Sequence, residues 1–214
     1  MSSDLHVSAL DLNQLRALQG SGDEALLASI LERNHDYLMD HNEYFRGFPG
    51  VQRYTPLAEA VKQIVRGQID PDLTPRFQFE HAAALLADSL GEQLDASLFA
   101  ECTPAFWDEV DTVIGRRLVA AGQPEEAWPA LAQILERGPY LDIPLDPPWR
   151  LGSGYLTASE VSAAAKAAEA CELAEPDETL EDLKWAEEAL EATSQYRDWL
   201  RHAAATGVGL YFHA

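Results

Sequence analysis

The densest gathering of side chains able to bind a metal or move a proton is Asn34-His35-Asp36-Tyr37-Leu38-Met39-Asp40-His41-Asn42-Glu43. Read as one helix, at about 100° per residue, it points His35 and His41 about 240° apart, while Asp36 and Asp40 share a face that holds neither histidine. Zinc on a helix takes ligands at i and i+4, so this stretch reads as a polar helix face and no metal is expected. Glu80-His81 is the better candidate for proton chemistry. It sits among Phe77, Phe79 and Leu85, and burial there would push a carboxyl up and an imidazole down in pKa. Cys102 and Cys171 lack a neighbouring histidine or a CxxC partner and read as reduced packing residues. No GxSxG elbow is present, and Gly152-Ser153-Gly154 belongs to neither GxGxxG nor GK[ST]. It reads as a turn, with anion binding at a helix start near Thr157 as the alternative. These residues supply no catalytic set and imply no cofactor, so the reading leans away from an enzyme.

A more specific feature is acidic. Between Glu172 and Glu191, nine carboxylates (Glu172, Glu175, Asp177, Glu178, Glu181, Asp182, Glu187, Glu188 and Glu191) face Lys184 alone. Like charges at i and i+4, such as Glu178 with Asp182, weaken a helix by a few tenths of a kcal/mol per pair. Such a run either keeps the protein soluble or docks a basic partner. The whole chain shares the bias: 214 residues carry 36 Asp and Glu against 15 Lys and Arg, a net charge of −21. That balance excludes phosphate-backbone recognition, which needs clustered basic residues, and disfavours anionic membranes. No run of 18 apolar residues exists, so a membrane span is not expected. The opening Met1-Ser2-Ser3-Asp4-Leu5 lacks a basic region and an apolar core, so a cytoplasmic location is expected.

The elements that must position these residues are mostly helices. Ser21-Gly22-Asp23-Glu24 and Thr157-Ala158-Ser159-Glu160 have the capping-box pattern. The first precedes Leu26, Leu27, Ile30 and Leu31 on one face, and the second precedes Val161, Ala164, Ala165, Ala168 and Cys171. Thr55-Pro56, Thr74-Pro75 and Thr103-Pro104 each offer a capping hydroxyl before a proline at the first helical position. A last long helix is predicted from Asp177 or Thr179 to just before Gly207. Gly207-Val208-Gly209-Leu210-Tyr211-Phe212-His213 then reads as a terminal strand, whose partner is sought in His6–Leu10 or Tyr140–Ile143. The fold class is α+β, predominantly helical, with about seven to nine helices and a small β element including the C-terminal strand. Residues 1–214 read as one domain. Its two lobes would be a helical 1–136 and a helical hairpin plus strand, 157–214, joined by an ordered loop, 137–156, rich in proline, glycine and aromatics.

Taken together, several segments carry a resemblance. They are Gly20-Ser21-Gly22-Asp23-Glu24-Ala25-Leu26-Leu27, Phe77 through Gly91-Glu92, Trp107-Asp108-Glu109-Val110-Asp111 and Arg137-Gly138-Pro139. They continue in Gly152-Ser153-Gly154-Tyr155-Leu156-Thr157, Trp199-Leu200 and the closing Gly207 to His213. In this combination the chain resembles an uncharacterised bacterial domain family of unknown function, distantly similar to the YfbM-like proteins. The resemblance implies an α+β domain with no established activity, of a kind often found beside toxin or secretion genes. Two functions are therefore expected as alternatives. One is an immunity- or antitoxin-like protein that neutralises a basic protein through Glu178, Glu181, Asp182 and Glu188, with Trp149 and Tyr155 as aromatic anchors. The other is an enzyme or small-molecule binder with a pocket between the 137–155 loop and the terminal strand, using Trp149, Arg150, Tyr155 and His213, with Glu80 and His81 as its ionisable pair.

Overall fold

The structure, a computed structural model, describes residues 4–47, 54–100, 102–143, 152–173 and 178–214. The terminal strand does form, as β4 (Gly209–His213), and it pairs antiparallel with β1 (His6–Leu10) at the start of the chain, Ser8 opposite Tyr211. Of the two partners the sequence offered, the first is therefore the one used; Tyr140–Ile143 stays irregular, with Leu141 and Ile143 buried beneath it. Two further strands complete a four-stranded antiparallel sheet in the order β2-β1-β4-β3, with β2 at Glu92–Leu94 and β3 at Ser153–Leu156.

Both central strands alternate side chains of two kinds, and strand geometry sends the two kinds to opposite faces. Val7, Ala9, Leu210 and Phe212 point to one face and join the larger apolar cluster. That cluster belongs to α6 (Pro104–Ala120), α7 (Leu131–Leu135), α8 (Ala158–Glu169) and α9 (Ala186–Thr206). His6, Ser8, Tyr211 and His213 point the other way. On that side lie α1 (Leu12–Leu18), α2 (Glu24–Arg33), α3 (His35–Arg46), α4 (Leu57–Arg66) and α5 (Arg76–Leu90), which form the second cluster with Leu10 and Tyr211. The result is a predominantly helical α+β fold: nine α-helices among the described residues, layered on both sides of a small sheet.

The helix starts follow local chemistry, with corrections. Thr157 and Glu160 form a reciprocal capping box at α8, and the Thr103 hydroxyl accepts from Phe106 N–H ahead of Pro104. Before α2 the cap is Asp23, which accepts from Leu26 N–H; Ser21 accepts from Asp23 N–H, and Glu24 pairs with Arg66 at 2.7 Å. The predicted Ser21 cap is thus displaced by a better-placed carboxylate. At α4 and α5 the prolines themselves precede the first helical residue, in extended conformation. Their threonines are engaged elsewhere: Thr55 donates to Leu73 O, and Thr74 accepts from the Gln63 amide.

The last long helix begins at Ala186, well after the predicted start. Glu178–Leu180 form a single 3-10 turn, and an irregular stretch follows to Trp185. Side chains of α6 hold that stretch. Arg116 donates to Thr179 O and to both Asp182 oxygens, while Glu109 accepts from Lys184 and Trp185 N–H. Repulsion along the acidic run makes a helix there weak, and these contacts offer the backbone an alternative. At the far end Gly207 closes α9 at φ 72°, the left-handed cap that glycine adopts without steric cost. Another glycine has a different role: a Cβ on Gly154 would lie 1.7 Å from Ile134 O, so only glycine lets α7 rest on edge strand β3.

Candidate functional site

The polar face of the sheet and two helices enclose a contiguous cluster of ionisable groups. Glu80, Ala84 and Asp88 lie at i, i+4 and i+8 along α5, one above another on a single side of that helix. Ser8 of β1 donates to Asp88 Oδ1 at 2.5 Å, and His213 Nε2 of β4 stands 3.5 Å from Asp88 Oδ2. His6 stacks on His213 with ring centroids 4.7 Å apart and planes within 3°. From α3, His41 meets His81 edge-on at 4.9 Å, and Phe45 and Phe77 pack beside the pair. Ser153 lies opposite His213, and Tyr155 opposite Tyr211, in the β3–β4 register.

The electrostatics follow from burial. Glu80 has its carboxyl raised from 4.5 to about 7 by desolvation. Desolvation also lowers His41 to about 4, and His81 to about 3 with help from His41 and His213. Both imidazoles are therefore neutral at neutral pH. Burial opposes ionisation of Asp88 too, yet its net shift is downward because the His213 and Ser8 contacts outweigh it. His6 is lowered by burial and by the charge of His213. The Tyr211 phenol is pushed up by burial, opposed by the neighbouring Ser153 hydroxyl and helped by the nearby Glu80 and Asp88 carboxylates.

Polar atoms converge here without well-formed hydrogen bonds. Both ring nitrogens of His41 are buried and lack hydrogen bonds; the buried Tyr211 and Ser153 hydroxyls make no well-formed hydrogen bond but stand beside each other, and His213 Nε2 has only the 3.5 Å contact with Asp88. Native proteins pair such atoms nearly always, and an unpaired one costs about 1–3 kcal/mol. Several meeting in one place mark a site that a polar ligand can complete. The cluster reaches solvent at its rim, where the side chains of Asp88 and His213 remain 18% and 19% exposed and His6 is exposed. A separate hollow of about 240 Å³ at the β1–β2 edge is walled by Asp4, Leu5, His6, Val7, Gln93, Leu94, Ala96 and Ala100. It shares His6 with the cluster and lies below the usual ligand-pocket size of about 300–1,000 Å³. Among the described residues no three of His, Cys, Asp and Glu are placed to hold a metal ion. No described helix is long and apolar enough to cross a membrane.

The structure brings together three of the residues singled out in the sequence, Glu80, His81 and His213, and sets Tyr155 on the same sheet face. Tyr155 packs edge-on against Tyr140 at 4.6 Å, beneath the Arg137 guanidinium. Trp149 and Arg150 lie outside the described residues. The acidic candidates stand elsewhere: Glu178, Glu181 and Glu188 are exposed around the start of α9, and Asp182 is held by Arg116. Sequence reasoning passed over His6, Ser8, Asp88 and Tyr211, read Ser153 as part of a turn where the structure has the edge strand β3, and set His41 aside because the helix that carries it does not converge on its own. The usable signal was the alternation in the two terminal strands, polar at 6, 8, 211 and 213 and apolar at 7, 9, 210 and 212.

No curated protein and no solved structure matches this chain. A family profile matches residues 1–213, so the chain belongs to the Domain of unknown function (DUF7691) family.

Proposed function

We propose that the protein binds a small polar molecule in the cluster between α5, α3 and the Tyr211–His213 face of the sheet. The convergence of buried polar atoms without well-formed hydrogen bonds, Tyr211 OH, Ser153 Oγ and the His41 nitrogens, carries this reading. The histidine ring resonances of the protein, followed by NMR while a library of small polar compounds is added, test it. A saturable shift of the His81 and His213 signals that Tyr211→Phe with Ser153→Ala weakens supports a ligand site. No compound moving those rings refutes it.

A second reading rests on the acidic side. Glu178, Glu181 and Glu188 are exposed and make no ion pair among the described residues, leaving a negative surface open to a basic protein. On this reading the protein is a bacterial, cytoplasmic, immunity- or antitoxin-like protein akin to the YfbM-like group, and it neutralises its partner by covering it. Reversing the three to Lys should abolish salt-sensitive capture of that partner; unchanged capture removes the idea. Asp182 is left intact in this test because it anchors the chain to Arg116.

A further inference from the structure

We propose that the ligand completing this cluster is a small organic cation with N–H donors, a primary ammonium or a guanidinium, seated between Glu80 and Asp88 of α5 and the Tyr211–His213 face of the sheet. The inference rests on the ligand-site reading above and adds the ligand's charge and chemistry. Asp88 is mostly buried, and its partners are a hydroxyl and an imidazole nitrogen at 3.5 Å. Glu80 accepts no hydrogen bond and makes no ion pair among the described residues. A half-buried carboxyl in that state either keeps its proton or takes a cation.

No lysine or arginine acts on His6, Tyr37, His41, Glu80, His81, Asp88 or Tyr211. Arg76 stands one turn before Glu80 on α5, yet burial alone shifts the Glu80 carboxyl. An anion entering here would meet two carboxylates and no lysine or arginine, only the His213 imidazole that already faces Asp88. A neutral solute would leave Glu80 uncompensated. The remaining walls also suit a cation: neutral His41 and His81 offer ring lone pairs, and Phe45 and Phe77 pack with them at centroid distances of 4.5–6.2 Å. The Tyr211 and Ser153 hydroxyls, which stand beside each other, can each accept an N–H. A bare metal ion is less suited, because no three ligands meet among the described residues. The net charge of −21 further raises the local concentration of cations over anions.

Binding would also displace the Glu80 proton. Tyr211 on β4 feels its charge directly, and the other titratable groups of the cluster are His81 and Asp88 on α5, Tyr37 and His41 on α3, His6 on β1 and His213 on β4. Affinity for a cation is therefore expected to fall about tenfold from pH 8 to pH 6 as Glu80 protonates.

The experiment titrates the intact chain with n-butylammonium and agmatine, with n-butyrate and n-butanol as the anionic and neutral matches and Mg²⁺ and Zn²⁺ as metal controls. Dissociation constants are read from the His81 and His213 ring signals. The two organic cations should bind in a saturable way and the others should not. Glu80→Gln should weaken binding by about tenfold or more, the size of one charged hydrogen bond, and remove the fall between pH 8 and pH 6. Glu80 has no structural partner to lose, so this variant keeps its fold, which thermal melting checks; Asp88→Asn is the second variant. If butyrate, butanol or a metal ion binds as well as the ammonium, or if Glu80→Gln binds n-butylammonium as wild type does, the cation inference falls while a ligand site stands. If no probe of any charge moves the rings, both fall.

Discussion

Glu80→Gln is expected to make the protein more stable at pH 8 and to change little at pH 4. Burial raises this carboxyl from 4.5 to about 7, so the folded chain keeps a proton that the unfolded chain releases near 4.5. Between those values the native state binds more protons, and its stability falls as pH rises. The contribution is fully present below pH 4.5 and is lost by about pH 7. At about 1.4 kcal/mol per pH unit the full span is about 3 kcal/mol. Glu80 retains some contact with water, which reduces the expected cost to about 2 kcal/mol. Glutamine cannot ionise and so does not incur that cost. Urea unfolding of both proteins at pH 4, 6 and 8 measures the difference directly. The titrations of His41 and His81 are common to both proteins and cancel in the comparison. A gap between variant and wild type that stays constant from pH 4 to pH 8, or a variant that is the weaker at pH 8 only, would refute the desolvated, unpaired carboxyl on which the site argument leans.

Three other outcomes follow from the same geometry. His41, lowered by burial to about 4, binds its proton more readily when unfolded, so its share of stability is lost as pH falls from 6.5 towards 4; His41→Phe should lose about 2 kcal/mol less than wild type over that range, and parallel acid-unfolding curves would contradict this. Gly154→Ala places a methyl 1.7 Å from Ile134 O and should lower stability by about 3 kcal/mol or more, or prevent folding, because the contact is backbone and cannot swing away; an unshifted melting temperature would mean α7 does not rest on β3. Deleting residues 209–214 removes the strand between β1 and β3 together with fully buried Leu210, Tyr211 and Phe212. At about 1.5–3 kcal/mol per side chain the loss rivals the whole stability of a domain, so a surviving cooperative melt would show that β4 is dispensable.

Fold class and the terminal strand were legible because each rests on a local rule. Gly207 followed by alternating Gly209–His213 names a helix stop and a strand, and Thr157 with Glu160 names a helix start. The start of α9 was not legible, since it depends on Arg116 and Glu109, some seventy residues away in sequence, catching the chain at Thr179–Trp185. The candidate site was half legible. Glu80 and His81 stand out by their apolar neighbours, but nothing within α3 alone makes its histidines converge. Convergence here comes from three elements: α3 delivers His41, α5 delivers Glu80, His81 and Asp88, and the paired chain ends deliver His6, Ser8, Tyr211 and His213. Period-two alternation can flag such a strand face, yet it does not say which helix covers it.

The two faces of the sheet differ in the ionisable groups they bury, and that contrast bears on whether the cluster is an accident of packing. On the larger apolar side Trp199 Nε1 donates to Asp95 O at 2.7 Å and Tyr196 OH to Pro129 O at 3.0 Å. Unpaired atoms occur there as well, on Trp107, Trp128, Gln195 and Arg197; an indole is bulky and apolar over most of its surface and is kept for its volume, while Gln195 and Arg197 lie on a helix away from the sheet's polar face. Volume does not explain Ser153 or the second nitrogen of His41, because Ala or Leu would fill similar space without an unmet hydrogen bond. A buried carboxyl beside two neutral imidazoles is harder still to justify by packing, since its replacement by Gln or Leu should stabilise the fold. Residues that weaken a protein where apolar ones would strengthen it are expected where binding or chemistry requires them. The stability measurement on Glu80→Gln and the titration with n-butylammonium therefore probe one claim from two sides: the same carboxylate that costs the free protein stability should be the group that holds its ligand.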